Sequence, residues 1–96
     1  MAARLAWTPS AVRDLGDFLD FVAEDDPTAA DAQATRVRSA AERLLAFPGM
    51  GRPGRVAGTR ELVVPGTPVM LAYRAHAGRV EVLRILHAKQ QWPWFM

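Results

Sequence analysis

Two histidines and a set of arginines are the residues of this chain whose chemistry stands out. His76 and His87, with Arg60, Arg74 and Arg84, all fall in the C-terminal half. A histidine can give or take a proton near neutral pH, and an arginine can hold the charge that develops on a phosphorus oxygen. The chemistry such a set supports is acid–base cleavage of a phosphodiester, with His87 as acid or base and Arg60, Arg74 or Arg84 as stabilising cations. An RNA 2′-hydroxyl would be the nucleophile, so no metal is needed. A purely structural role for His87, bonding a backbone group at the end of a strand, is equally compatible with its position. Arg84 is either paired with a carboxylate such as Glu61 or presented to a ligand. Tyr73 reads as a packed aromatic with a bonded hydroxyl.

Other chemistries find no support. Two histidines without a cysteine or carboxylate pattern do not make a metal-ligand set. The only serines, Ser10 and Ser39, fall in helical stretches away from the histidines, which argues against a nucleophilic triad. The segment GMGRPGRVAG at residues 49–58 is rich in glycine, but it lacks the lysine and hydroxyl residue of a phosphate-cradling loop. Its glycines read as turn chemistry in a loop without regular structure, with Arg52 and Arg55 extending the charged rim. No cofactor is implied.

Charge is unevenly distributed over the 96 residues. Before Pro48 five arginines oppose eight acidic residues; from Pro48 onward seven basic residues oppose only Glu61 and Glu81. The basic half reads either as a face for an anionic partner, nucleic acid or an acidic protein segment, or as a solvated basic surface. The length suits one domain with one core. There is no apolar run of about eighteen residues to span a membrane and no secretory h-region. The absence of cysteine fits a reducing cytosol.

The elements that position these residues follow from periodicity. Residues 59–64, Val69–His76 and residues 80–87 are three strand-like runs separated by Pro65-Gly66 and Ala77-Gly78, and so form a meander. Residues 5–7 are a short strand that can join the same sheet. Thr8-Pro9 and Asp26-Pro27 each combine a cap with proline at the first helical position, predicting helices over Pro9–Asp25 and residues 27–47. The alanine-rich face of the second allows close approach to the first. In the last strand Leu83 and Ile85 are expected to meet the helices, with Val80, Val82 and Leu86 opposite. The expected fold is α+β, in the order β-α-α-β-β-β, with an antiparallel helical hairpin packed on one face of a mainly antiparallel sheet. After His87, Trp92, Trp94 and Phe95 would either fold back on the open sheet face or remain exposed.

The order of elements resembles the RelE/ParE superfamily of toxins from prokaryotic type II toxin–antitoxin modules. The motifs that carry the likeness are GxGR at residues 49–52, GTREL at residues 58–62, the Tyr73-Arg74 pair and VLRILHAKQQWP at residues 82–93. The GTPVML segment and the alanine-rich second helix resemble the ParE side. The resemblance implies a cytoplasmic toxin that forms a hetero-oligomer with a cognate antitoxin and does not enter a membrane. A ParE-like member would poison DNA gyrase by binding it. A RelE-like member would instead cut messenger RNA on the ribosome, here with His87, Arg84 and Arg60 as the catalytic set. The binding residues implied are Arg52, Arg55, Arg60, Glu61, Tyr73, Arg74, Arg84, Gln90 and Trp92.

Overall fold

The computed structural model describes residues 4–87. The first helix, α1 (Pro9–Asp25), starts at Thr8, whose hydroxyl accepts the Ala11 N–H at 3.0 Å while its extended backbone (φ −69°, ψ 157°) turns the chain into the helix. Proline at the first helical position forgoes an N–H that has no partner there anyway. Asp26 closes α1 and opens α2 (Pro27–Ala46). Its own N–H bonds the Val22 carbonyl at 3.0 Å, and its carboxylate accepts from Thr28 and Ala29 at 3.0 and 3.2 Å. One residue thus makes the whole turn between the helices. Phe47, expected as the last helical residue, is the C-cap.

The sheet consists of β1 (Arg4–Trp7), β2 (Arg52–Pro53), β3 (Arg60–Val63), β4 (Val69–His76) and β5 (Arg79–His87), in the spatial order β1-β5-β4-β3-β2. Strand β1 runs parallel to β5 and every other pairing is antiparallel. The expected α+β fold, with both helices on one face, is the observed one. Among the described residues no helix is long and apolar enough to cross a membrane.

Two expectations are corrected. Residues 49–58 were expected to lack regular structure, yet Arg52 and Pro53 form β2 and pair with Glu61 and Arg60. No local propensity announces a two-residue strand. Its pairing and the hydrogen bond from Gly54 N–H to the Thr59 carbonyl at 2.8 Å create it. The second correction concerns β5. Ala72 pairs with Arg84 but Tyr73 pairs with Val82, so Leu83 is an extra, bulged residue. A bulge inverts the alternation of faces. Val80, Val82 and Ile85 therefore share the helix-side core with Val37, Leu44, Leu71 and Tyr73, while Leu86 joins Met70 and Ala72 on the other face. Leu83 is not part of the main core.

The turn between β4 and β5 is Ala77-Gly78, with φ of 51° and 76°. Two successive positive φ values match the strand twist in a two-residue hairpin, and only the second position carries glycine.

Candidate functional site

The clamp between α1 and β5 is built from residues far apart in the chain. Beyond Trp7 no strand lies beside the outer edge of β5 among the described residues, and Thr8 and Asp14 take over. Thr8 N–H bonds the Val82 carbonyl at 3.0 Å and its hydroxyl donates to the Leu83 carbonyl at 2.7 Å. In the second turn of α1, Asp14 accepts the Ile85 N–H at 3.0 Å and holds Arg84 through both Nε (2.7 Å) and Nη2 (3.1 Å). Both side chains are 18% exposed. The hydrogen bonds from Asp14 raise the Arg84 pKa above its ordinary value; partial burial works against them and the Asp14 charge adds to them. Of the two fates read from the sequence, Arg84 is the paired cation. Its partner is Asp14 rather than Glu61, which stands two strands away across Ala72 and takes Arg52 instead.

Glu61 is buried on the open face of the sheet. Its carboxylate takes Arg52 at 3.3 Å and the backbone N–H of Arg55 at 3.2 Å, tying the loop of residues 49–58 to β3. Arg52 also approaches the Met70 sulfur at 3.9 Å. Tyr73, counted among the binding residues, is fully buried. Its hydroxyl donates to the Pro48 carbonyl at 2.7 Å and accepts the Gly51 N–H at 2.9 Å, so it anchors the same loop. A side chain at position 51 would meet that hydroxyl at 2.7 Å and the Glu61 carbonyl at 2.9 Å, which explains the glycine. Arg60 donates to the Gly51 carbonyl at 2.8 Å. Arg74 is exposed and lies opposite Glu81, which Arg79 approaches at 3.9 Å.

His87 lines a cleft of about 320 Å³ between α1 and the ends of β4 and β5, with Asp14, Asp17, Phe18, Phe21, Val69 and Ile85. Arg60 is not near it. Arg60 stands opposite Tyr73 and His87 opposite Val69, two strands across and four residues along, roughly 16 Å between backbones at ordinary sheet spacing. His76 is at the far end of the same ladder, opposite Arg79. Among the described residues no group of three or more metal-ligating side chains comes together. Gln90 and Trp92 lie outside the described residues, as do Trp94 and Phe95.

Sequence reasoning missed Thr8 as more than a cap and missed Asp14 altogether. Asp14 reads as one of several solvated acids on the polar side of α1, and no local signal marks it as the partner of a residue seventy positions away.

A short strand, a helical hairpin and a meander, with a loop pinned between helix and sheet, define the RelE/ParE class of small toxins. The sequence model described as "ParE toxin of type II toxin-antitoxin system, parDE" matches residues 5–92. The chain belongs to that family of ParE toxins of type II toxin–antitoxin systems. It is 41% identical to Y4kP of Sinorhizobium fredii, a protein named as a toxin, over 94% of this chain and 93% of that one. It is 37% identical to Toxin RelE2 of Caulobacter vibrioides, over 90% and 96%. In three dimensions it is similar to a chain of the chromosomal ParDE system from P. aeruginosa, with a TM-score of 0.77 and 28% identity, covering 91% of this chain and 96% of that one.

Proposed function

We propose that this toxin arrests growth by binding DNA gyrase, and that a cognate antitoxin neutralises it by forming a complex with it. The observation that carries the binding reading is the state of the arginines. Arg84 is clamped by Asp14 and Arg60 is tied to the Gly51 carbonyl, roughly 16 Å from His87 at ordinary sheet spacing. A nuclease needs its acid–base group and its charge-stabilising cations around one phosphate. The match to the ParE family and the ParDE structural neighbour support the same reading.

The alternative, ribosome-dependent cleavage of messenger RNA, draws support from the placement of His87 in a cleft and from the relative named RelE2. The cleft itself argues against it, since Asp17 lies on its wall and repels a phosphodiester. The test is to express the toxin and follow gyrase-linked DNA breaks and transcript cleavage in the same cells. DNA breaks with intact transcripts are expected; ribosome-dependent cleavage that disappears with His87→Ala would overturn the proposal. Both arms are repeated with the neighbouring antitoxin gene, which should abolish the effect and co-purify.

A further inference from the structure

The cleft beside His87 has features that neither the clamp nor the gyrase reading uses. Phe21 is 65% exposed, the largest exposure of any large apolar side chain among the described residues. It stands at the mouth of the cleft, whose apolar wall is Phe18, Val69 and Ile85. Asp14, Asp17, Phe18, Phe21, Glu24 and Asp25 recur at three- and four-residue spacing and so form one stripe along α1. Within the stripe Asp14 is engaged by Arg84. Among the described residues no ion pair involves Asp17, Glu24 or Asp25, nor Asp20 beside them. An exposed aromatic at a cleft edge, surrounded by carboxylates that form no ion pair among the described residues, is complementary to one kind of ligand.

We infer that this cleft and the α1 stripe form a docking surface for a basic protein segment, an amphipathic stretch that inserts an apolar anchor beside Phe21 and places lysine or arginine against Asp17, Asp20, Glu24 and Asp25. The geometry selects a helix or a side-chain anchor rather than an added strand. The β5 groups that a new strand would use, the Leu83 carbonyl and the Ile85 N–H, are occupied by Thr8 and Asp14. Charge excludes nucleic acid. The surface is opposite in sign to the basic half of the chain, so it takes a different segment from any acidic one that meets that half. It stands whichever target the toxin proves to have.

The probe is a short synthetic amphipathic helix of leucine, one tryptophan and lysine, with the same peptide carrying glutamate in place of lysine as control. Each is titrated into the isotope-labelled full chain while amide chemical shifts are followed. The lysine peptide should shift Asp17, Phe18, Phe21, Val69 and Ile85, bind more weakly as salt screens the charges, and lose about tenfold in affinity with Phe21→Ser. Asp17→Asn combined with Asp20→Asn should cost a similar factor. The glutamate peptide should not bind. Because these side chains are at the surface, an unchanged melting temperature in each variant separates lost docking from lost fold. Absence of binding, shifts that map to the open sheet face, equal binding of the glutamate peptide, or an affinity indifferent to Phe21→Ser each overturns the inference. So does a contact in the free protein between the Phe21 ring and a tryptophan of residues 88–96, since the chain would then fill its own cleft.

Discussion

Replacing Asp14 by alanine removes three hydrogen bonds at once and tests whether the clamp holds the end of β5. Two of the bonds come from the Arg84 guanidinium and one from the Ile85 N–H. A hydrogen bond to a charged group contributes about 1.5–3 kcal/mol, and a buried N–H left without a partner costs about 1–3 kcal/mol. Breaking a fully buried pair costs about 3–5 kcal/mol, but at 18% exposure Arg84 can recover part of its hydration. The expected loss is therefore about 2–4 kcal/mol, a large share of the roughly 5–15 kcal/mol that hold a domain folded. For a chain of this size that lowers the melting temperature by roughly 10–20 °C. Urea denaturation should show a lower midpoint with an unchanged slope, since the surface exposed on unfolding stays the same. The double variant Asp14→Leu with Arg84→Met should be more stable than Asp14→Ala alone, because no guanidinium then has to do without the Asp14 carboxylate. The raised Arg84 pKa fixes the sign of the pH dependence. The arginine's contribution is complete below its unfolded value and is lost only as pH rises through the folded one, which lies higher still. Its share of stability should thus be flat from neutral pH to pH 10. A loss under about 1 kcal/mol in Asp14→Ala, or a double variant no better than the single, would refute the reasoning.

Tyr73→Phe leaves the Pro48 carbonyl and the Gly51 N–H without their shared partner, so it should cost about 1–3 kcal/mol and make residues 49–58 the first site of limited proteolysis. Ala77→Gly relieves a left-handed alanine in the hairpin and should add about 1 kcal/mol, read as a melting temperature higher by about 4–8 °C. His87→Ala should leave toxicity and antitoxin binding intact in a growth assay, whereas a catalytic role would cost about 10²- to 10⁴-fold in cleavage rate. Arg60→Ala should reduce toxicity only as far as it reduces stability, since its guanidinium is spent on the Gly51 carbonyl; full loss of toxicity in a variant that melts normally would make it a contact to the target.

The helices and the three long strands were legible because their causes are local. Thr8 and Asp26 cap with their own side chains, prolines mark the first helical turns, and Pro65-Gly66 and Ala77-Gly78 reverse the chain, all within a few residues of the effect. The placement of β5 between two neighbours was also legible, since apolar residues on both alternating sets require cover on both faces. Which residue faces which way was not. The bulge at Leu83 moves Val80 and Val82 to the helix side, and it is held by Thr8 and Asp14, seventy and more positions away. Pairing decided the rest. Arg84 and Glu61 each needed an opposite charge, and the sequence offered several; only the folded distances assign Asp14 to one and Arg52 with the Arg55 backbone to the other. Sequence by itself determined the two helices, the four strands other than β2 and the family pattern, because short-range sterics and capping act before the chain is compact. Tertiary structure alone decided that the candidate catalytic arginines serve as internal ties and that Phe21 stands uncovered beside His87, because electrostatic and packing partners are chosen by proximity in space.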